Sequence, residues 1–253
     1  MAGHSKWANI KHRKARQDAA KSKAWSRCAR AIIVAARNGG PDPAMNLTLR
    51  YAIDDARSEN MPKDNIEKAI KKGAGIGTEA VEYTAIRYEG YGPGGVAMIV
   101  DVLTDNRNRT AADIRHLLDK GGGNLGANGC VAYNFQAKGI IEIQEDKTNE
   151  DQITELAIES GAEDVELDNG IWTVTTEATD LLNIRKAIDE AGIEIESAEV
   201  RMIPTTTVKC NAEEARKALR LMEMLEEQDD VQQVWANFEI PNEVMAELEA
   251  DAG

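Results

Sequence analysis

The sequence predicts an α+β fold, with an N-terminal three-helix domain followed by two α/β domains, one of them ferredoxin-like and inserted into the other. From Trp25 to residue 73, apolar residues recur every three or four positions, and Gly and Pro separate the runs. Beyond residue 80, short β-branched runs alternate with helical ones. Between Ile140 and Met202 the order is β-α-β-β-α-β, the complete split βαβ set, with its central hairpin turned at Asp168-Asn169-Gly170.

Residues 1–23 are polar and basic without a sustained apolar face, and read as an arm able to become helical. From Trp25 the apolar positions Cys28, Ala29, Ile32, Ile33 and Ala36 give an amphipathic helix, stopped at Asn38-Gly39-Gly40-Pro41. A second helix reads from about residue 46 to 57. A third lies between Pro62 and Gly73, with Pro near the start and Gly just past the end. Gly73, Gly75 and Gly77 read as a hinge that closes a helical domain over 24–79. Strands are expected at 81–88, 96–103, 131–135, 140–143, 164–167, 171–175, 195–202 and 231–239, and helices at 110–119, 149–160, 179–191 and 212–227. The pieces flanking 138–203 are each too small to bury a core. They are expected to close one discontinuous domain from 80–137 and 204–241, with 138–203 inserted and 242–253 left as an acidic tail.

With 253 residues the chain exceeds one typical domain of about 100–150, and its cores, at 4% aromatic content, must rely on Ala, Ile, Leu and Val. No run approaches the roughly 18 apolar residues of a membrane span. The start, MAGHSKWANIKHRK, lacks the apolar core of a secretory signal and the Ser richness of a transit peptide, so the cytoplasm is expected. Cys28, Cys130 and Cys210 form no CxxC pair and read as buried thiols.

The net charge of −14 argues against nucleic acid until its distribution is examined. Residues 1–40 hold ten Lys or Arg against Asp18, a net +9; residues 41–72 are balanced; residues 73–253 carry −23. A basic end on an acidic body confines polyanion contact to that end. Lys6, Lys11, Arg13, Lys14, Arg16, Lys21 and Lys23 are placed to neutralise phosphates, with His12 among them and Arg27 and Arg30 continuing the series, while Trp7 offers a ring for base stacking.

Gly90–Gly95 and Gly121–Gly126 both match G-x-G-x-x-G. Phosphate cradling needs strand, glycine turn, then helix, and neither match has that order, so both read as tight turns. Thr104–Thr110 leaves a strand and enters a helix, and Thr110–Asp113 fits a capping box. Arg107 and Arg109 there either contact phosphate or pair with Asp105 and the acidic body. His4, His12 and His116 have no metal spacing, and the acidic run Glu223–Asp230 reads as a solvated face. No cofactor, metal or small-molecule substrate is expected.

Five segments carry a family resemblance: the opening MAGHSKWANIKHRK, Ala35–Pro43, Asn60–Ile66, Tyr88–Gly95 and Thr104–Thr110. Long, specific and in order, they resemble the YebC family, which includes the mitochondrial translational activator of cytochrome c oxidase. The chain departs from the family pattern at Cys130, where Ser is usual, at Gln136-Ala137, and at Trp25–Cys28. The resemblance implies a helical domain followed by two α/β domains, DNA-binding transcriptional regulation or action on the translating ribosome, and no catalysis.

The leading expectation is therefore a non-enzymatic, nucleic-acid-binding regulator of gene expression. A ribosome-associated activator binding ribosomal RNA is the alternative, and a protein-interaction adaptor with acidic domains is a second. A nuclease would need acids clustered around Mg²⁺ near the substrate, whereas bases and acids here are segregated. No helix-turn-helix is evident at Asn38–Met45, which is too long and Pro-rich for that motif's turn, and this favours structured RNA or shape-based binding.

Overall fold

A computed structural model describes residues 17–75, 83–241, 243–245 and 248. Helices α1 (Gln17–Gly39), α2 (Leu47–Ser58) and α3 (Lys63–Gly73) form the N-terminal unit. The first helix begins at Gln17 rather than near Trp25, because Gln17–Ala24 is dominated by the strong helix formers Gln, Ala and Lys. Its core joins Ile32, Ile33 and Ala36 of α1 to Leu49, Ala52 and Ile53 of α2 and to Ile66 and Ala69 of α3. Each fully buried Ile or Leu contributes about 1.5–3 kcal/mol, and the alanines between them let the helices approach closely.

Gly73, expected to be part of a hinge, is instead a contact point: a Cβ there would lie 2.4 Å from the Ile33 carbonyl oxygen. Gly75 has φ +72°, while Gly77 lies outside the described residues. Buried Asn46 closes the loop between α1 and α2. Its Oδ1 accepts from the Leu49 amide at 3.1 Å, capping α2, and its Nδ2 donates to the Ala35 and Gly40 carbonyls at 2.7 and 2.8 Å.

The rest of the chain runs through β1 (Thr84–Tyr91), β2 (Ala97–Thr104), α4 (Arg107–Lys120), β3 (Asn124–Leu125), β4 (Phe135–Gln144), α5 (Glu150–Glu159), β5 (Asp164–Asp168), β6 (Ile171–Glu177), α6 (Leu181–Glu190), β7 (Ser197–Pro204), β8 (Val208–Lys209), α7 (Ala212–Glu226), β9 (Val231–Ala236) and β10 (Phe238–Glu239). One antiparallel sheet has the order β3-β1-β2-β9, and a second has β5-β6-β4-β7. The second order is the ferredoxin-like one, and its four strands intervene in the chain between β3 and β9 of the first sheet. The fold is thus the expected α+β arrangement.

Strand β2 is buried on both sides, in the period-2 alternation of a central strand. Met98, Val100 and Val102 face Ile114 and Leu118 of α4 and Leu221 and Leu225 of α7, while Ala97 and Ile99 pack with Val131, Phe135 and Trp235. In the ferredoxin-like unit, Ile141 and Ile143 of β4 and Trp172 and Val174 of β6 meet Ile153 of α5 and Ile184 and Ile188 of α6.

Several expected boundaries are corrected. Residues 131–134 are not a strand; Ala132–Asn134 is a single 3₁₀ turn, and β4 is one strand from Phe135. The reason is Glu89, whose buried carboxylate accepts the amides of Gly129, Val131 and Ala132 at 2.7, 2.9 and 2.8 Å and so removes them from any ladder. Burial works to raise that carboxyl, and the three amides outweigh it and hold it below the ordinary carboxylate range. The expected strand 231–239 divides at Asn237, whose Oδ1 accepts from the Ala97 amide at 2.7 Å and whose Nδ2 donates to Thr206 at 3.0 Å. Beyond it, β10 pairs in parallel with β8. The segment expected to be a plain acidic tail buries Met245 against α7's core.

Two outcomes follow from this architecture. Glu89→Gln turns an amide donor toward donors and should cost about 2–3 kcal/mol, read as a lower urea midpoint with unchanged slope. A fragment covering 135–204 should unfold cooperatively, because its strand set is complete, whereas a fragment covering 83–134, deprived of β9 and α7, should show no cooperative transition.

Candidate nucleic-acid interface

Of the nominated residues, Lys6, Trp7, Lys11, His12, Arg13, Lys14 and Arg16 lie outside the described residues. Lys21 and Lys23 belong to the first turns of α1, so these two stand on a helix that runs on into the helical core.

Arg27 and Arg30 take a different place from the one expected. Arg27 Nη1 donates to the Gln232 carbonyl at 3.5 Å, and Arg30 Nη1 donates to the Asp229 carbonyl and lies 3.4 Å from Asp230 Oδ1. Both side chains therefore clamp α1 onto the turn that leads into β9. The physical reason is proximity to a buried acid: Asp230 is only 2% exposed and attracts whatever cation the packing brings within reach.

Asp230 also settles the Thr104–Thr110 segment. Its Oδ2 lies 2.8 Å from Arg109 Nη2, 2.7 Å from Thr110 Oγ1 and 3.2 Å from Thr104 Oγ1. Arg109 Nη2 bridges onward to Asp105 at 3.0 Å. The capping box expected at Thr110–Asp113 is corrected: α4 begins at Arg107, and its cap is Asn106, which accepts from the Arg109 amide at 3.1 Å. Thr110 is buried, with its hydroxyl committed to Asp230 and the Asn106 carbonyl. Arg107 is exposed in the first turn of α4. Burial works to raise the Asp230 carboxyl. Hydrogen bonds from Arg109 and Thr110 and the charges of Arg109 and Arg30 outweigh it and hold the group below the ordinary range. Asp230 was not legible in the sequence, where it closes an acidic run that reads as a solvated face.

The glycine motifs act by close approach. A Cβ on Gly123 would lie 2.1 Å from the Tyr91 carbonyl oxygen, so the two glycine-rich turns pack against each other. Cys210 is buried as expected, while Cys28 and Cys130 are half-buried, and none is in a disulfide. Burial, with Glu59 and Asp55 nearby, pushes the Cys28 thiol up to about 11, and burial raises the other two as well. All three remain protonated and poorly nucleophilic at neutral pH. Among the described residues no group of three His, Cys, Asp or Glu is arranged to hold a metal, and no helix is long and apolar enough to cross a membrane.

Charge is divided by structural unit. Residues 138–203, the ferredoxin-like part, contain eighteen acids and five bases, a net of −13. More than half of the −23 carried by residues 73–253 therefore sits on one unit, and the positive excess on the N-terminal segment and α1.

Two family models match the chain. Residues 5–76 match the TACO1/YebC protein N-terminal domain, and residues 83–238 match the TACO1/YebC second and third domain. A protein of Rubrobacter xylanophilus named "Probable transcriptional regulatory protein" is 52% identical over 248 residues, covering 98% of this chain and 99% of that protein. One of the same name from Treponema denticola is 52% identical over 242 residues, covering 95% and 97%. The crystal structure of a conserved hypothetical protein from Aquifex aeolicus superposes with a TM-score of 0.84 at 48% identity, over 93% of this chain and 97% of that one.

Asp230→Asn keeps the shape of the hub and removes its charge. The substitution should cost about 2–3 kcal/mol, toward the low end for a broken buried pair because Arg109 is half exposed. The sign with pH follows from the depressed carboxyl: its contribution is present above the ordinary Asp value of about 4 and is lost as pH falls through the folded value. Urea unfolding at neutral and at acidic pH should therefore show a smaller acid-induced loss in the variant than in the wild type.

Proposed function

The chain belongs to the TACO1/YebC family, and from that premise we propose that it is a nucleic-acid-binding regulator of gene expression that engages its target through the N-terminal segment and α1. The observation that carries the reading is the charge gradient: +9 over residues 1–40, against a ferredoxin-like unit at −13. A polyanion is attracted to one end and repelled by the other, which fixes how the molecule meets it. The names of the relatives support transcription as the process regulated.

Within this reading the nominated cations divide into two groups. Lys6, Lys11, Arg13, Lys14 and Arg16, with Lys21 and Lys23 at the start of α1, are the phosphate contacts, and Trp7 is the stacking platform. His12 adds charge only when protonated. Arg27, Arg30 and Arg109 hold the fold through Asp229, Asp230 and Gln232, so their removal acts on stability first. Arg107 is the exposed member of the second pair and the one available to a phosphate. Nothing in the mechanism requires bond-making chemistry.

Deletion of residues 2–16 removes five Lys or Arg and leaves the described part of α1 whole. Affinity for duplex DNA should fall at least ~100-fold at ~0.1 M salt, and the slope of log affinity against log salt should flatten by about four units. Trp7→Ala should weaken single-strand binding by about 1–3 kcal/mol with little change in slope. Fluorescence anisotropy across a salt series reads both effects, and a slope unaltered by the deletion would remove the arm from the interface.

A further inference from the structure

Between α1 and α2 the loop is too long for the turn of a helix-turn-helix. The tight connection lies one helix later. Only Glu59–Pro62 separates α2 from α3, and Asn60 turns the chain at φ +55°. Both helices pack chiefly against α1 rather than along each other, which is the arrangement of a helix-turn-helix pair on a supporting helix and not of an antiparallel hairpin. The short turn is held from both sides. The Met61 amide donates to the Ala56 carbonyl at 2.8 Å, and Trp25 Nε1 of α1 donates to the Glu59 carbonyl at 3.0 Å.

Helix α3 buries Ile66, Ala69 and Gly73 against α1. Its opposite face presents Lys68, Lys71 and Lys72, three exposed cations at the i, i+3, i+4 spacing that places them side by side. Among the described residues none of the three has an ion-pair or hydrogen-bond partner, whereas Lys63 on the same helix is 3.8 Å from Glu67. The remaining acid on that face, Asp64, stands in the first turn, where the helix dipole favours it. An exposed face with three uncommitted lysines beside a rigid turn matches a row of phosphates in charge and spacing.

We propose that α3 is the groove-facing helix of a helix-turn-helix-like pair, with Lys68, Lys71 and Lys72 contacting the phosphodiester backbone of a nucleic-acid duplex. This rests on the nucleic-acid reading above and adds a second, structured contact surface to the arm. The arm supplies charge, and α3 supplies a fixed orientation set by its seat on α1.

The test uses the full chain, the variant K68Q/K71Q/K72Q, and the 2–16 deletion, with a DNA duplex and an RNA duplex of equal length as probes. The triple variant should bind at least tenfold more weakly, with a salt slope flatter by about two to three units, and the loss should add to that of the arm deletion. A loss confined to DNA assigns α3 to a B-form groove, one confined to RNA assigns it to an A-form duplex, and either supports the proposal. Lys71 and Lys72 also sit in the last turn, where cations stabilise a helix. A purely structural role would lower the urea midpoint and leave the salt slope unchanged, and that result overturns the proposal. Wild-type affinity and slope in the triple variant, with binding abolished by the arm deletion, overturns it while sparing the arm. Absence of duplex binding by the wild-type chain overturns both readings.

Discussion

One buried carboxylate, Asp230, holds together parts of the chain that are far apart in sequence. It receives Arg30 from α1, Thr104 from the end of β2, and Arg109 and Thr110 from the start of α4, and it stands immediately before β9. Its own amide and carbonyl are also used, the carbonyl accepting from Leu103 at 2.8 Å. An isolated carboxylate in this position would be strongly penalised by desolvation. Its cost is offset because two cations and two hydroxyls converge on it, and that convergence is possible only when the helical unit, the edge strand β9 and the α4 turn are all in place. The group thus couples the docking of three elements.

The same logic recurs with other polar side chains. Glu89 replaces a strand partner for the amides around residues 129–132, Asn134 gathers Thr205 and Thr206, and Asn237 joins β2 to the loop before β8. The segments they hold, 129–134 and 205–206, are where the chain leaves the first sheet for the ferredoxin-like unit and returns from it. At those crossings the backbone cannot continue a ladder, and its buried polar groups still need partners. Polar side chains with several acceptors or donors fill that need. They fix the two α/β units to a common strand framework.

Charge is distributed in keeping with this framework. The ferredoxin-like unit, at −13, is joined to the rest through β4 and β7, while the positive charge belongs to residues 1–40, which include α1. In the proposed function the acidic unit faces away from the polyanion. Some arginines of the basic end serve the fold: Arg27 and Arg30 point the helix at the turn before β9. A count of basic residues therefore overstates the number available to phosphate, and the uncommitted lysines of α3 redress part of that difference.

The amino-acid sequence alone determined the fold class, the ferredoxin-like order of elements and the basic end. Periodicity of apolar residues and charge composition are local properties that survive without knowledge of contacts. It located the second and third helices of the first unit to within a few residues, started the first one about two turns late, at Trp25 instead of Gln17, and read both glycine segments as turns. Tertiary structure alone decided which cations are spent. Arg30 and Arg109 look like Lys21 or Arg107 in sequence, and they differ only because folding brings a desolvated Asp230 from some two hundred and one hundred and twenty residues away to meet them. It also turned 131–134 out of a strand, because the acceptor that captures those amides, Glu89, lies on another strand. A side chain's neighbours across the fold set its electrostatic role, and no spacing rule within a segment encodes them.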